Sequence, residues 1–308
     1  MASKKTAVQI DDRELMLSNL DKVLYPEADF TKAAVLDYYA RIAEVMIPHL
    51  AARPVTLRRY PDGVSGETFF EKQRPSHAPD WVRSMRVASR SGRQGRDFID
   101  YPLLGDRPSL VWAANLAAIE LHVPLWHRDG DAEPPTPPDH LVFDFDPGPG
   151  TNIVECCRIA LLVRDRLRNS KSAVAKTSGS KGLQVYAPRA GASWDDIRDE
   201  VLGIAKALEQ DHPDQVVVSQ DKKLREGRVL IDWSQNHPAK TTVAVYSLRA
   251  TAYPTASTPV TWDEVERCAA KRDATLLRFL APDVLRRVDE HGDLFAPLLP
   301  KRPRAKKR

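Results

Sequence analysis

The stretch that most constrains the fold of this chain is His140–Gly150, which reads HLVFDFDPGPG. Successive side chains of a β-strand face opposite sides, so the alternation predicts a strand with one apolar face. Asp144 and Asp146 share the other face with Val142, and the Pro-Gly-Pro-Gly that follows ends the strand. The acids therefore lie at the carboxyl end of the strand, where open α/β sheets usually build their sites. The side chains predicted to pack in the core are Leu141, Phe143 and Phe145.

Two carboxylates side by side indicate a cation site. Residues two apart on a strand lie about 7 Å apart at Cα, and two ionised acids that converge on one site repel each other unless a cation lies between them. Oxygen ligands suit magnesium or manganese. The structural alternative is that Asp146 only favours the turn before Pro147, as aspartate often does.

The composition is that of a globular protein. Of the 308 residues, 29% are charged and 42% are hydrophobic. No apolar run approaches the roughly 18 residues that a membrane span needs, and the N-terminus is not a secretory signal. We therefore expect a cytoplasmic protein with no membrane partner. Cys156, Cys157 and Cys268 lack metal-ligand spacing and are expected to be reduced and buried.

The formal net charge is only +4, but the charge is unevenly distributed. Between Arg74 and Arg96 six arginines stand against one acid, Asp80. Such a patch suits a phosphate backbone, although a solvated basic loop would have the same composition. Residues 299–308 are also basic, so we expect a disordered tail that either adds non-specific affinity for nucleic acid or only solubilises the chain.

The predicted elements indicate an α+β fold. Strands mix with helices without regular βαβ alternation, which favours a mixed, largely antiparallel sheet. The individual predictions are a helix capped by Thr31 and stopped by Pro48, a hairpin of Val55–Tyr60 and Thr68–Glu71, a helix from Ser109 to about His122, a proline-rich connection at Asp131–Asp139, a helix from Thr151, strands at Ala173–Thr177 and Leu183–Ala187, a helix at Ser193–Gln210, and strand pieces at Val216–Ser219, Val229–Asp232 and Thr242–Tyr246.

A glycine loop lies between two of these strands, at Ser178–Gly182. Its two glycines permit positive φ and exposed backbone N–H groups, and its hydroxyls and ammonium add further donors. This is a way to hold a triphosphate, although the spacing is not that of a P-loop. A plain hairpin turn is the alternative.

Asp232 is a third candidate acid. It ends the apolar run Val229–Ile231, and a carboxylate there is expensive to bury unless it is paired or binds a metal. Three acids on adjacent strands with a phosphate-holding loop are what nucleotidyl transfer by metal ions requires.

These residues resemble the archaeo-eukaryotic primase superfamily, and most closely the polymerase domain of bacterial ligase D, which serves non-homologous end joining. The resemblance covers about residues 15–295. The motifs that carry it are Asn19–Pro26, Phe69–Lys72, Leu121–Pro124, Phe143–Gly148, Ser178–Gly182, Asp232–Asn236, Lys240–Thr242 and Tyr246–Arg249.

The resemblance implies a polymerase that adds ribonucleotides, and less readily deoxynucleotides, to primer 3′ ends on a DNA template at gaps or breaks. It implies manganese, or magnesium, as cofactor. The implied partners are nucleoside triphosphates, gapped or broken DNA with a 5′-phosphate, a separate DNA ligase and Ku. Because no KxDG ligase motif occurs, we expect a stand-alone primase-polymerase. The alternative is a catalytically weak or inactive protein that binds DNA ends as a repair scaffold.

The resemblance also implies a primase-polymerase core in which an RRM-like metal module packs with an N-terminal α/β module. We expect a single catalytic domain at residues 13–298, after a loose lead at residues 1–12. Its predicted parts are an N-terminal module at 13–130, a metal and nucleotide module at 138–250 and C-terminal helices at 251–298.

Residue roles are carried over position by position. The metal-binding and catalytic positions are Asp144, Asp146 and Asp232. The nucleotide-binding positions are His122, Ser178, Gly179, Ser180, Lys181, Gly182, Gln184, Arg225, Gln235, Lys240 and Arg249. The DNA-binding positions are Lys22, Lys32, Arg58, Arg59, Phe69, Phe70 and Lys72, of which Lys22 and Lys32 match lysines that grip a 5′-phosphate and the two phenylalanines match aromatics that stack on a template base.

One position departs from the family pattern. Where the family usually has histidine, two residues after the second loop glycine, this chain has Gln184. Glutamine can donate through its amide but never carries charge, so we expect weaker nucleotide affinity, a shifted preference or loss of activity. A phosphatase that uses the paired acids is a rival, but it needs a hydroxyl or small aliphatic residue where this chain has Pro147–Gly150.

Overall fold

The computed structural model describes residues 5–89, 97–128, 136–168, 170–189 and 191–299. The helices are α1 (Lys32–Leu50), α2 (Arg107–Asn115), α3 (Ile153–Arg166), α4 (Trp194–Asp211), α5 (Trp262–Lys271) and α6 (Ala281–His291). The strands are β1 (Lys5–Ile10), β2 (Arg13–Ser18), β3 (Val23–Tyr25), β4 (Phe30–Thr31), β5 (Thr56–Arg59), β6 (Phe69–Glu71), β7 (Ser84–Ala88), β8 (Phe98–Pro102), β9 (Ala118–Val123), β10 (His140–Pro147), β11 (Val174–Thr177), β12 (Leu183–Pro188), β13 (Val216–Val217), β14 (Val229–Ile231), β15 (Thr242–Val243) and β16 (Pro259–Val260).

The larger of two main sheets has six strands in the order β13-β14-β10-β12-β11-β16. Neighbours are antiparallel except β13 and β14, which are parallel. This confirms the predicted α+β class with a mixed, largely antiparallel sheet.

The two faces of β10 belong to different environments. Leu141, Phe143 and Phe145 lie in a core formed with α3, α4 and α5, as predicted. On the opposite face Val142 packs in a second core, formed mainly by α1, α2 and the smaller sheet. Along that face His140 and Val142 are buried where the strand begins, and Asp144 and Asp146 reach the cavity described below where it ends.

The smaller sheet has the order β15-β9-β5-β6, and it includes the predicted hairpin. One prediction was wrong here, because the helix expected to reach His122 ends at Asn115. Asp106 caps α2, and Ala117 turns the chain into β9 with a φ of +57°. His122 therefore lies on a strand, opposite Val243 of β15.

Two further expectations differ from the structure. Residues 5–10 are not a loose lead, because β1 pairs along its whole length with β2. The helix α1 continues through Pro48 to Leu50. A proline so close to the end of a helix removes only one of the last hydrogen bonds, so the helix tolerates it.

Some expectations fall outside the described residues. Positions 90–96 of the arginine-rich stretch, residues 131–135 of the proline-rich connection and residues 300–308 of the tail lie there. Within the described ranges, no helix has both the length and the apolar composition that crossing a membrane would need.

Candidate active site

Asp144 and Asp146 point from the end of β10 into a cavity of about 300 Å³. Burial and then the charge of Asp146 raise the pKa of Asp144 above its usual range. Burial and then the charge of Asp232 raise the pKa of Asp146. The acids therefore destabilise one another's ionised forms, which a bound cation would reverse.

Asp232 lies beside this pair but is held differently. The structure places it just after β14, and its amide donates to the carbonyl of Asp144 at 2.8 Å. Its Oδ1 accepts from the Ser234 hydroxyl at 2.6 Å and from the Gln220 amide at 3.0 Å, and its Oδ2 accepts from Gln235 at 2.9 Å. Asp232 is not among the residues that line the cavity.

The residues present suit a divalent cation with oxygen ligands. Asp144 and Asp146 offer carboxylates only, the donor type that magnesium and manganese prefer. Across the described part of the chain, however, no three His, Cys, Asp or Glu side chains converge at ligand spacing. The structure thus brings two of the three predicted ligands together at the cavity and places the third next to them.

The glycine loop connects β11 to β12 and forms one wall of the cavity. Gly179 has a φ of +71°, and a Cβ there would come within 2.6 Å of the Ala256 backbone, so only glycine fits. The Ser178 hydroxyl accepts from the amides of Ser180 and Gly182 at 3.2 and 3.1 Å. These bonds fix the loop shape and leave the hydroxyl proton of Ser178 to donate to a ligand.

Most of the predicted nucleotide-binding residues share this cavity. Those that line it are His122, Ser178, Ser180, Lys181, Gly182, Gln184, Gln235 and Arg249. Gly179, Arg225 and Lys240 do not line it. Arg225 lies close enough for its charge, like that of Arg249, to lower the pKa of Asp146 against the effect of burial.

Glu120 is a site residue that the sequence reasoning missed. It is 2% exposed, and its Oε1 accepts from Arg249 Nε at 3.2 Å and from the Ala250 amide at 3.1 Å. Its Oε2 lies 3.0 Å from His122 Nε2 and 3.4 Å from Arg58 Nη1. Burial raises the pKa of Glu120, but the hydrogen bond with His122 and the charge of Arg249 outweigh it and hold the pKa well below its usual range.

Glu120 carried a signal that was not used. It follows Ile119 and precedes Leu121 in an apolar strand, and both neighbours are buried. This is the pattern that identified Asp232, because an acid in an apolar run needs a partner. The wrong helix assignment removed the strand context that would have pointed to it.

Gln184 lies deep in the cavity and is 3% exposed. Its Oε1 accepts from Lys176 Nζ at 2.5 Å and from the Tyr186 hydroxyl at 3.1 Å. A side-chain hydrogen bond from Gln184 to Asp144 lowers the pKa of that acid, against the larger effect of burial. Burial also lowers the pKa of Lys176, to about 7.

Three of the predicted DNA-binding cations, Lys22, Lys32 and Arg59, form one patch, in which two of the cations are paired with acids. The Nζ of Lys32 donates to the Ser18 carbonyl at 2.7 Å, Lys22 makes a 2.7 Å ion pair with Asp62, and Arg59 makes a 2.9 Å ion pair with Glu71. Burial, followed by the charges of Lys22 and Arg59, lowers the pKa of Lys32 to about 8. Such a patch suits a phosphate group.

Phe69 and Phe70 are both exposed, by 45% and 57%. Adjacent residues of a strand face opposite ways, so a core role for β6 would have buried one of them. The Arg59 guanidinium lies 5.2 Å from the Phe69 ring, and that of Arg58 lies 5.2 Å from the Phe70 ring. Phe70 also contacts the His122 ring edge-on, which connects this surface to the cavity.

Lys72 and Lys240 line a second cavity of about 500 Å³, together with Tyr101, Trp126 and Trp194. Lys240 immediately precedes Thr241 and Thr242, which line the cavity of Asp144 and Asp146.

Comparison with known proteins shows similarity to LigD proteins of several bacteria. The family model for the LigD primase-polymerase domain matches residues 31–295. The chain is 46% identical over 292 residues to the multifunctional non-homologous end joining protein LigD of Mycolicibacterium smegmatis, covering 92% of this chain and 36% of that protein. It is 27% identical over 286 residues to the bifunctional protein LigD of Bacillus subtilis, covering 92% of this chain and 44% of that protein.

A solved structure gives the same result. The polymerase domain of Mycobacterium tuberculosis ligase D in complex with DNA matches with a TM-score of 0.85 and 40% identity. The match covers 94% of this chain and 99% of that one.

Proposed function

Because the chain belongs to the LigD primase-polymerase domain family, we propose that it extends primer 3′ ends on a DNA template with ribonucleotides, and less readily with deoxynucleotides. The observation that carries this proposal is the shared cavity. Two acids with raised pKa values, Asp144 and Asp146, face the loop at Ser178–Gly182 and the guanidinium of Arg249 across it. A metal-bound triphosphate needs both kinds of group.

The acids and the loop would have separate tasks in this reaction. Asp144 and Asp146, with Asp232 beside them, would hold manganese or magnesium, which supplies activation of the primer hydroxyl and neutralises charge on the triphosphate. Lys181, Arg249 and the Ser178 hydroxyl donate to the phosphate oxygens. His122, fixed by Glu120 at 3.0 Å, faces the sugar of the incoming nucleotide.

On the DNA side we assign two tasks. The patch of Lys22, Lys32 and Arg59 receives the 5′-phosphate on the far side of a gap, because three cations within mutual electrostatic range suit a doubly charged group. Phe69 and Phe70 stack on template bases, a use open to any base because every base has a π face.

The cellular setting is part of the same proposal. The relatives' names support non-homologous end joining. In that setting Ku would recruit the protein to a break in the cytoplasm and a DNA ligase would seal the extended end. Residues 13–298, together with the paired strand β1, would act as one catalytic domain, because β10, β11 and β12 each contribute residues to both hydrophobic cores.

A primer-extension assay tests the proposal. The substrate is gapped DNA with a downstream 5′-phosphate, supplied with manganese and the four ribonucleoside triphosphates. We expect extension by the parent protein and none by the variant Asp144→Ala/Asp146→Ala, while both bind the gapped DNA. Binding without extension by the parent, with either ribo- or deoxynucleotides, would leave a DNA-end binding protein and refute the catalytic proposal.

A further inference from the structure

Lys176 is a buried lysine that the proposed reaction does not use. It lies on β11, is 1% exposed, and donates to three oxygens. These are Gln184 Oε1 at 2.5 Å, the Ser257 hydroxyl at 2.7 Å and the Val243 carbonyl at 3.1 Å. An ammonium has three N–H groups, so each of them has an acceptor. Lys176 therefore has no donor left for a substrate, and any role it has must act through its neighbours.

The sheet places Lys176, Gln184 and Asp144 in one row. Lys176 of β11 is the register partner of Gln184 of β12, and Gln184 is the register partner of Asp144 of β10. Register partners on adjacent strands direct their side chains to the same face, within contact distance. The row therefore runs from a buried cation, through an amide, to an acid at the cavity.

The amide of Gln184 has only one favourable orientation in this row. Its Oε1 accepts from Lys176, so the NH₂ group is directed to the other side, towards its register partner Asp144. A flipped amide would direct its NH₂ group at the ammonium of Lys176 and its carbonyl at the carboxylate of Asp144. Both contacts would be repulsive, so the buried cation fixes which end of Gln184 faces the acid.

We propose that Lys176 is a positioning residue that acts through Gln184 to orient Asp144 for a divalent cation. The inference rests on the proposed function, and it gives Gln184 a different task from the triphosphate contact expected from the sequence. Ligating carboxylates depend on such outer hydrogen bonds, whose loss weakens metal affinity or activity by about 10- to 100-fold.

The test measures manganese affinity directly, by electron paramagnetic resonance of free Mn²⁺, beside primer extension. The variants are Lys176→Met, which keeps a long side chain without donors, Gln184→Leu and the double variant. The matched control is Lys171→Met. Lys171 is exposed and, like Lys176, precedes the glycine loop in the sequence. Thermal unfolding establishes that each variant is folded.

We expect each single variant to bind Mn²⁺ about 10- to 100-fold more weakly than the parent. The double variant should bind about as weakly as Gln184→Leu alone, because Lys176 acts only through Gln184. Excess Mn²⁺ should restore most of the extension by Lys176→Met, which a general loss of structure would not allow. Lys171→Met should match the parent.

Several results would overturn the inference. They are unchanged Mn²⁺ affinity in both single variants, effects that multiply in the double variant, or a parent protein that binds no Mn²⁺. If Lys176→Met does not fold, Lys176→Gln replaces it, since it keeps N–H donors for the Ser257 and Val243 oxygens and removes the charge. Unchanged Mn²⁺ affinity in Lys176→Gln would then count against the proposal. A parent that binds Mn²⁺ but extends no primer would refute the polymerase function, while the affinities would still decide the role of Lys176.

Discussion

Replacing Glu120 by glutamine is the perturbation whose effect the structure defines most closely. The substitution keeps the shape of the side chain, removes its charge and turns one oxygen into a donor. Either end of the new amide then meets donors: Arg249 and the Ala250 amide on one side, and on the other Arg58 together with His122 in the tautomer that carries its proton on Nε2. At least two hydrogen bonds to a charged group are lost, each of which contributes about 1.5 to 3 kcal/mol. We therefore expect Glu120→Gln to lower the free energy of unfolding by about 3 kcal/mol or more.

The same change should weaken nucleotide binding. Arg249 and His122 line the cavity, and both depend on Glu120 for their position. A loss of one charge-assisted contact to the triphosphate corresponds to at least a tenfold rise in KM, since about 1.4 kcal/mol is a factor of ten. Steady-state extension with each ribonucleotide and chemical denaturation measure the two effects. Glu290→Gln is the control, because Glu290 is exposed on α6 and lies 3.9 Å from His291.

The pH dependence separates the charge of Glu120 from its shape. The pKa of Glu120 is lowered in the folded protein, so its charge stabilises the fold fully above the unfolded pKa of about 4.3. That stabilisation is lost as the pH falls below this value towards the lowered folded pKa. The difference in stability between the parent and Glu120→Gln should therefore shrink as the pH falls below 4.3. A folded Glu120→Gln protein with an unchanged KM would refute the reasoning.

Three other perturbations have defined outcomes. In binding assays, the preference of the protein for gapped DNA with a 5′-phosphate over a 5′-hydroxyl should fall between pH 7 and pH 9.5. Lys32, whose pKa is about 8, loses its charge in that range. A preference that stays constant would contradict this prediction. Phe70→Ala should weaken binding to gapped DNA by about 1 to 3 kcal/mol, whereas Phe98→Ala, at a ring of similar exposure, should not. Gly179→Ala should raise the KM for nucleotides because its Cβ would clash with Ala256. Gly203→Ala on α4, where a Cβ meets no atom, should leave the KM unchanged and stabilise the fold by about 1 kcal/mol. Equal KM values for the two variants would contradict the strain argument.

The sequence was most informative where a pattern was local. Alternation over eight residues placed Asp144 and Asp146 on one face of β10, and the runs Val55–Tyr60 and Thr68–Glu71 identified the hairpin β5–β6. The error at residues 116–122 also has a local cause. Helix signals at Ser109 are followed by short apolar runs that fit either a helix or a strand, and only the left-handed Ala117 separates α2 from β9.

The buried lysine was beyond such reasoning. Nothing near Lys176 in the sequence shows that it is buried, because its partners Gln184, Val243 and Ser257 come from three separate segments. A strand with a lysine usually presents it to solvent, and only the pairing of β11 with both β12 and β16 encloses this one.

Glu120 and Lys176 together suggest how the cavity keeps two opposite charges apart. Arg249, which faces the triphosphate, shares the buried carboxylate of Glu120 with Arg58. Asp144, which faces the metal ion, has the buried ammonium of Lys176 behind Gln184. Each buried group opposes the charge of its own cluster, so each should affect mainly the ligand of that cluster. Glu120→Gln should therefore change the KM for nucleotides at saturating Mn²⁺ more than it changes Mn²⁺ affinity, and Lys176→Met should do the reverse. If either variant changed both quantities equally, the two clusters would be one electrostatic unit and this division of tasks would be wrong.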